Sequence, residues 1–382
     1  MTLAVGTLGR HPPGRVGGTD VGAVARQART GPPAGAGESA APAGPASVVY
    51  PPDNIPPGWT WRPVGPLPAR QGHVATWTGA EVVIWGGERP GRSPEGAAYD
   101  PETGVWRRLS RSPLVNRIGA AAAWTGHEVL VWGGVNGGGE LSDGAAYDPK
   151  EDRWRRLAAG PLDGRVPLAS AWTGTEFLIV GREGYGLYEG ITDAAAYNPA
   201  TDSWRALPDM PIQINEGSGA WTGKKLVIYG GFLDRNRSAL APNDRAEGAV
   251  LDPATGDWRR LPESPLSGQA IALAWDGTAV VAWDYELESA VYDPGTEGWT
   301  ALSTLPLEHR DCLPAGIAAG HVVVAIHCGQ AALLEPGHRT WREVPAPAEA
   351  AVAPVWTGRE LVLWQGPSGR SHDGTWIRPL AD

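Results

Sequence analysis

Residues 117–134 read RIGAAAAWTGHEVLVWGG, and this stretch decides the fold because the rest of the chain repeats it. Two more elements complete the unit: DGAAYDP at residues 143–149 and WRRL at residues 154–157. The Trp-Thr-Gly element recurs, with a Trp-Asp-Gly copy and a degenerate Ala-Ala-Gly copy, at Trp77, Trp124, Trp172, Trp221, Trp275, Ala318 and Trp356. Seven copies at this spacing indicate a repeat architecture.

The other two elements recur in the same order as the first. The aromatic or aliphatic residue before Asp-Pro, or its variant, lies at Tyr99, Tyr147, Tyr197, Leu251, Tyr292 and Leu334. The Trp-x-x-Leu or Trp-x-x-Val element lies at Trp61, Trp106, Trp154, Trp204, Trp258, Trp299 and Trp341, with 41 to 54 residues from one Trp to the next. Three elements in constant order define one structural unit about 45 residues long.

Each unit is predicted to form four strands. Residues 120–123 are small and apolar, which suits a crowded inner strand, and Thr-Gly then makes a tight turn. The run Val129–Trp132 is predicted to be a strand buried on both faces. The third strand ends at Asp-Pro, and the fourth carries the Trp. Four short strands repeated seven times predict an all-β, seven-bladed β-propeller.

The two ends of the repeat region predict how the ring closes. Trp61 begins a fourth strand that has no preceding three, whereas residues 373–379 match a third strand that has no fourth. We therefore expect the N-terminal strand to pair in the last blade and leave no open edge. A competing register would make Trp376 a fourth-strand Trp.

Composition separates the chain into two parts and excludes some partners. Residues 1–57 are rich in Gly, Ala and Pro without a period, which predicts a disordered tail ahead of a propeller domain at residues 58–382. A net charge of −10 argues against nucleic-acid binding. No apolar run is long enough for a membrane span or forms a readable secretory signal. We expect a monomer without a cofactor or a metal.

The basic residues are nearly all Arg, since Lys occurs only at positions 150, 224 and 225. Arginine suits forked recognition of carboxylates. The same bias is typical of a high-GC, bacterial genome, so both interpretations stay open. The nineteen Trp residues are predicted to lie mostly in the core.

The unit resembles the kelch repeat. In that family a Gly-Gly pair follows an apolar strand, an aromatic residue precedes Asp-Pro, and a Trp follows; Gly133-Gly134, Tyr147-Asp148 and Trp154 match this order. The resemblance spans about residues 59–382. Gly-Gly is intact at residues 86–87, 133–134 and 230–231 and is lost at 180–182, 283–285 and 327–329. The resemblance implies a propeller, but the family includes protein-binding modules, a copper oxidase of sugars and a sialic-acid mutarotase, so the fold alone does not choose a function.

Polar residues recur where each inner strand begins. We call this the ring position, and it is occupied by Arg70, Arg117, Arg165, Asn215, Gln269 and Arg310. Ring geometry predicts that these side chains point at one mouth of the central channel, where guanidinium groups would bind a carboxylate or phosphate. The resemblance adds that an Arg before Ile-Gly, as in Arg117-Ile118-Gly119, can bind acidic peptides. The alternative is that these arginines pair with neighbouring groups and brace the blades.

Three functions follow from these residues. The first is a non-catalytic module that binds an acidic peptide or a small anion at an Arg-lined mouth. The second is an enzyme acting on an acidic carbohydrate, such as a sialic-acid-type mutarotase, with Glu216 or Asp311 as a general base beside the arginines. The third is a purely structural role.

Both cysteines, Cys312 and Cys328, lie in one unit. Folding its hairpin places them within one residue of register, close enough for a disulfide, which would imply an oxidising compartment. Two free thiols are the alternative. His309 and His327 would complete a set of four metal ligands, but His327 and Cys328 are adjacent on a strand and point to opposite faces, which argues against a metal site.

Overall fold

The computed structural model describes residues 58–63, 67, 70, 72–87, 95–181, 192–214, 216–231, 246–266, 272–309, 315–327, 329–335, 337–346, 354–364 and 374–379. The predicted tail at residues 1–57 lies outside these residues. Every regular element within them is a β-strand. None of these residues belongs to a helix that is long and apolar enough to cross a membrane.

The strands form seven four-stranded antiparallel sheets, which we number in chain order by their first strand after residue 63. Sheet 1 contains β2 (Val74–Trp77), β3 (Val82–Trp85), β4 (Gly96–Asp100) and β5 (Val105–Arg108). Sheet 2 contains β6 (Ala121–Trp124), β7 (Val129–Trp132), β10 (Gly144–Asp148) and β11 (Arg153–Arg156). The connection from β7 to β10 contains two short strands that pair with each other, β8 (Val135–Asn136) and β9 (Gly139–Glu140). Sheet 3 contains β12 (Ala169–Trp172), β13 (Phe177–Val180), β14 (Ala194–Asn198) and β15 (Ser203–Leu207).

The remaining four sheets repeat the same order. Sheet 4 contains β16 (Glu216–Trp221), β17 (Leu226–Gly231), β18 (Glu247–Asp252) and β19 (Asp257–Arg260). Sheet 5 contains β20 (Ala272–Trp275), β21 (Val280–Trp283), β22 (Ser289–Asp293) and β23 (Gly298–Ala301). Sheet 6 contains β24 (Ala315–Ala319), β25 (Val322–His327), β26 (Gln330–Leu334) and β27 (Arg342–Val344). Sheet 7 contains β28 (Val355–Trp356), β29 (Glu360–Trp364), β30 (Gly374–Pro379) and β1 (Thr60–Pro63).

The predicted strand order within a unit is therefore observed. In sheet 2 the second strand has the predicted bounds, Val129–Trp132, whereas the first begins one residue later than expected, at Ala121. Trp124 pairs with Val129, and the hydroxyl of Thr125 accepts from the backbone N–H of Glu128 at 2.9 Å. Gly126 in this turn has a φ of 94°, which explains why the Thr-Gly pair recurs.

The core lies between sheets rather than within one sheet. Each of seven apolar clusters draws its residues from two successive sheets. One of them joins sheet 7 to sheet 1, through Val355 and Val362 against Leu67, Ala75 and Tyr99. The inner strands contact one another in succession, and β28 also contacts β2. The sheets thus form a ring in which both faces of a sheet bury apolar side chains.

The N-terminal strand β1 lies beside β30, with Trp61 opposite Trp376. Because β30 also pairs with β29, Trp376 belongs to the third strand of sheet 7, and the register that made it a fourth-strand Trp is wrong. The indole N–H of Trp59 donates to the carbonyl of Pro345 at 2.7 Å. In sheets 2 to 5 the fourth-strand Trp makes the same bond to a carbonyl of the preceding sheet or of the segment after it, as at Trp154, Trp204, Trp258 and Trp299.

The structural counterpart of these tryptophans is therefore Trp59. The sequence predicted Trp61 at this position, and that prediction is wrong. In the sequence the two residues are two positions apart, which is the period of side chains along an extended chain. A period-2 pattern cannot distinguish them.

Candidate functional site

The connections between strands differ at the two edges of the ring. The turns between first and second strands have four residues in each of sheets 1 to 5. The connections between second and third strands range from two residues in sheet 6 to fifteen in sheet 4. We call the edge with these unequal connections the variable face and the opposite edge the turn face. In repeat proteins, insertions of this kind map to one face, which is often the binding face.

The ring position lies at the base of the variable face. Its described members Arg70, Arg117 and Arg165 are buried, with 1% to 3% of their surface exposed. Asn215, Gln269 and Arg310 lie outside the described residues, as does Asp311. Glu216 is the first residue of β16, where its backbone pairs with Gly231.

Arg70 holds the two ends of one variable connection. Its Nη1 donates to the carbonyl of Gly86 at 2.8 Å and to that of Glu95 at 2.9 Å. These carbonyls stand just after β3 and just before β4, so one guanidinium joins both ends of the connection in its own sheet. Backbone carbonyls at strand ends need a partner when buried, and the arginine supplies it.

Arg117 repeats this arrangement in sheet 2. Its Nη1 donates to the carbonyls of Gly133 and Asp143, each at 3.1 Å, and lies 2.7 Å from Oδ1 of Asp143. Its Nε donates to the carbonyl of Val115 at 3.1 Å. The Arg117 side chain is fully buried, whereas 43% of the Asp143 side chain is exposed. The pair therefore fixes the variable connection from beneath and keeps one carboxylate edge near solvent.

Arg165 replaces the carbonyl contacts with a forked ion pair. Nη2 donates to Oδ2 of Asp193 at 2.9 Å, Nη1 contacts Oδ1 of the same residue, and Nε donates to the carbonyl of Asp163 at 2.9 Å. Asp193 immediately precedes β14, at the end of the variable connection of sheet 3. Forked Arg–carboxylate pairs fix orientation as well as position.

The Gly-Gly pairs link successive ring positions. The backbone N–H of Gly87 donates to the carbonyl of Arg117 at 2.8 Å, and that of Gly134 donates to the carbonyl of Arg165 at 2.7 Å. Gly133 has a φ of 74°, and a Cβ there would lie 2.8 Å from the Arg165 carbonyl oxygen. In sheets 1 and 2 the Gly-Gly pair thus accepts from the arginine of its own sheet and donates to the backbone of the next. Glycine is required because the two backbones approach so closely.

Electrostatics at this site favour the ionised pair. Burial raises the pKa of Asp143, but hydrogen bonds and charges from Arg117 and Arg156 lower it more, so the net shift is downward. Burial, with a smaller contribution from the Arg70 charge, lowers the pKa of His73 to about 3. His73 is therefore neutral beside the arginine at neutral pH.

These contacts favour the bracing alternative for the three described arginines. Their guanidinium groups lie under the variable connections and bind protein acceptors. Within the described part of the chain, Nη2 of Arg117 and Oδ1 of Asp143 are buried without a hydrogen-bond partner, although Oδ1 contacts Nη1 of Arg117 as an ion pair. The acids beside the ring arginines, Asp143 and Asp193, act as ion-pair partners, which gives no support to the prediction of sugar chemistry.

The cysteine and metal predictions fall largely outside the described residues, because Cys312 and Cys328 do. His309 stacks edge-on against Tyr285, with ring centroids 4.8 Å apart, and His327 is buried. Within the ranges given above, no three His, Cys, Asp or Glu side chains cluster as metal ligands do. The disulfide stays a prediction.

Sequence reasoning missed a second set of arginines on the turn face. Arg107, one residue after the fourth-strand Trp, binds both carboxylate oxygens of Glu81 in its own sheet, at 2.8 and 2.5 Å. It also donates to the hydroxyl of Tyr147 and the carbonyl of Pro149 in the next sheet, at 2.8 and 3.3 Å. Arg155 repeats the contact with Glu128 and Tyr197. We call this set of contacts the turn-face clamp.

The signal for the turn-face clamp was present in the sequence. In each of the first three units a Glu lies four residues after the first-strand Trp and an Arg follows the fourth-strand Trp; the acids are Glu81, Glu128 and Glu176. Arg205 binds both oxygens of Glu176 and the carbonyl of Pro253 in the next sheet. Opposite charges at fixed positions in one repeat predict a contact, and this pairing could have been found by aligning the units.

A ring of four-stranded antiparallel sheets with apolar packing between neighbours defines a β-propeller. Residues 59–231 match the family model of the KLHDC2/KLHL20/DRC7 Kelch-repeats domain, which supports a kelch-repeat β-propeller family for this chain. This confirms the resemblance stated from the repeats. A search of curated proteins returned no match. The kelch propeller suggests a protein-binding scaffold, and the match lends no support to an enzyme.

Proposed function

We propose that the chain is a non-catalytic, seven-bladed kelch propeller that binds an acidic peptide at the variable face. In this proposal the seven sheets are its blades, and β1 closes the ring as the fourth strand of the last blade. The support for closure is the pairing of β1 with β30 together with the apolar cluster that joins sheet 7 to sheet 1. Closure removes the free sheet edges that would otherwise pair with other chains.

The observation that carries the binding proposal is the position of the ring arginines. Arg70 and Arg117 each join both ends of one variable connection, and Arg165 holds one end of a third. Such a frame fixes where unequal loops begin and end while the loops themselves differ. This is the arrangement expected of a rigid scaffold that presents recognition loops.

The variable connections of sheets 1, 3 and 4 contain six arginines as candidate contacts for an acidic partner, in a chain whose net charge is −10; these are Arg89, Arg92, Arg182, Arg235, Arg237 and Arg245. Seven acids occur in the same connections, so the arginines offer local contacts rather than an excess of positive charge. We propose that the loop arginines contact partner carboxylates directly, while the ring arginines act as positioning residues.

Fluorescence anisotropy with a labelled decapeptide of alternating Glu and Gly tests this proposal, with the Gln/Gly decapeptide as the neutral probe. We expect the acidic peptide to bind and its affinity to fall as salt rises. The double variant Arg235→Gln/Arg237→Gln should weaken binding by about tenfold or more, since each lost charge-assisted hydrogen bond contributes roughly 1.5–3 kcal/mol and about 1.4 kcal/mol is a factor of ten.

Arg153→Gln/Arg339→Gln is the matched control, because it removes the same charge from two exposed positions near the turns that join third and fourth strands in sheets 2 and 6. Equal loss of affinity in both double variants would show that only net charge matters and would contradict the proposal. So would equal binding of the Gln/Gly peptide.

A further inference from the structure

The turn-face clamp of sheets 1 to 3 is reversed in charge in sheet 4. Lys225 occupies the position that carries Glu81, Glu128 and Glu176 in sheets 1 to 3. Lys225 and its neighbour Lys224 are two of the three lysines in the chain. The arginine of the unit is retained as Arg259, so sheet 4 brings together three cations where sheets 1 to 3 pair one cation with one anion.

In the unaltered units the arginine fills the space between neighbouring sheets. Arg107 contacts Glu81, the Tyr147 hydroxyl and the Pro149 carbonyl, and these residues correspond to Lys225, Tyr292 and Pro294. A lysine cannot accept a hydrogen bond from the arginine, and its charge repels the guanidinium. The clamp seen in sheets 1 and 2 is therefore unavailable between sheets 4 and 5.

Arg259 instead pairs with Glu297, in the turn between β22 and β23 of sheet 5. Both side chains are about half exposed. Glu297 has its pKa lowered by the hydrogen bond from Arg259 and, more weakly, by the charge of Lys225. Arg259 keeps a hydrogen bond to Tyr292, as Arg107 does to Tyr147, but its ion pair runs across to sheet 5 instead of to an acid in its own sheet.

A cavity of about 300 Å³ occupies this place. Val227 and Val250 line it from sheet 4, and Trp275, Tyr292 and Pro294 line it from sheet 5. Lys224, Lys225 and Arg259 complete the lining. A volume of this size is at the lower end of small-molecule sites, and an apolar, aromatic lining with a few convergent charged groups is typical of them.

We propose that this cavity between sheets 4 and 5 binds a small organic anion, with an aromatic or apolar body against Trp275, Tyr292 and the two valines and a carboxylate or phosphate head against Lys224, Lys225 and Arg259. Three cations face one carboxylate, that of Glu297, so the site carries an excess of positive charge. A bound anionic head compensates this excess. The site lies on the turn face, and it does not depend on the peptide site proposed for the variable face.

Isothermal titration calorimetry with naphthalene-2-carboxylate tests the site, with naphthalene-2-carboxamide as a neutral probe of the same shape and 2-naphthyl phosphate as the second head group. We expect both anions to bind and the carboxamide to bind about tenfold more weakly or less. The stronger of the two anions identifies the preferred head group.

Lys225→Glu is the decisive variant, because it restores the residue found at this position in sheets 1 to 3. Arg259 then regains an acid in its own sheet, as Arg107 has in sheet 1, and the resulting ion pair occupies the cavity. We therefore expect the affinity for both anions to fall by about tenfold or more. Since three sheets of the chain already fold with Glu there, the variant is expected to fold, and its melting temperature should not decrease.

Lys150→Glu is the matched control, because it makes the same charge change at the third lysine, in the turn between β10 and β11. It should alter the affinity by no more than about twofold. Failure of the wild-type chain to bind either anion, or equal effects of the two lysine variants, overturns the proposal. Loss of peptide binding at the variable face with retained anion binding would instead count only against the proposed function.

Discussion

Arg117 and Asp143 form an asymmetric pair in which a fully buried guanidinium lies 2.7 Å from a carboxylate that is 43% exposed. The same nitrogen of Arg117 also donates to the backbone carbonyl of Asp143, at 3.1 Å. One arginine thus holds both the side chain and the main chain at the end of a variable connection. The partner that water reaches is the acid, so the acid is the safer of the two residues to substitute.

Asp143→Asn should lower the free energy of unfolding by about 1.5–3 kcal/mol, because it removes the charged acceptor from a buried cation. The midpoint of urea denaturation measures the change. Glu151→Gln, at an exposed position in the turn after β10, provides the control and should be nearly neutral. Equal midpoints for the two variants would show that the pair does not stabilise the fold.

Gly133→Ala should destabilise the chain by about 1–3 kcal/mol, since its φ of 74° is strained for alanine and the new Cβ would lie 2.8 Å from the Arg165 carbonyl oxygen. Gly137→Ala is the matched control, because a Cβ there meets no atom within 4 Å and its φ is unexceptional. Thermal melts of both variants check this. If Gly137→Ala were the more damaging, close approach of the two backbones could not be the reason for Gly-Gly.

Glu81 and Arg107 should show a coupling free energy of about 0.5–1.5 kcal/mol in a double-mutant cycle with Glu81→Gln and Arg107→Lys. The range is modest because 33% of the Arg107 side chain and 22% of the Glu81 side chain are exposed. Repeating the cycle with Arg153→Lys in place of Arg107→Lys should give no coupling. Additive effects in the first cycle would mean that the turn-face clamp does not join the two groups energetically.

His73 predicts a loss of stability in acid. Its pKa is about 3 in the folded chain and 6.5 in the absence of the fold, so the unfolded state binds a proton first as the pH falls. The contribution is complete above pH 6.5 and decreases by roughly 1.4 kcal/mol per pH unit between that value and about 3.

Urea midpoints measured from pH 7 to pH 4 test this expectation. The variant His73→Gln should show a shallower decline than the wild-type chain over that range. His127→Gln, at an exposed position in the turn between β6 and β7, should follow the wild type. Parallel curves for all three chains would assign the acid sensitivity to other groups.

Removal of residues 1–63 should lower the free energy of unfolding by more than about 3 kcal/mol, because it deletes β1 and the buried indole of Trp59. Removal of residues 1–57 alone leaves both in place and should have little effect. Differential scanning calorimetry of the two truncated chains distinguishes these outcomes. Equal melting temperatures would contradict closure by β1.

Much of the fold could be predicted from the sequence because each strand of the unit has its own local signal. Thr125-Gly126 specifies a turn, and the buried run Val129–Trp132 specifies a strand, without help from distant residues. The assignment of Trp61 as a fourth-strand Trp was wrong because no local sequence signal distinguishes it from Trp59. Trp59 and Trp61 are two positions apart and therefore satisfy the same period-2 pattern. Only the hydrogen bond from Trp59 to the carbonyl of Pro345, far away in sequence, selects Trp59.

The site was less predictable for a different reason. The sequence placed Arg70, Arg117 and Arg165 at equivalent positions, but whether a guanidinium faces a channel or a carbonyl depends on where the strands around it end. Gly86 and Glu95 flank a connection whose path the sequence does not specify. The opposed charges of Glu81 and Arg107 were readable, since both recur at fixed positions, and Lys225 is informative because it departs from that pattern.

The pairing of β1 with β30 has a consequence for synthesis of the chain. β1 leaves the ribosome before every other described strand, and its partner is completed only at residue 379. During translation the growing polypeptide therefore carries β1 as an unpaired strand, together with an incomplete ring of sheets. Such edges associate with other chains. A chaperone that holds the nascent polypeptide during elongation would protect these edges until β1 and β30 pair.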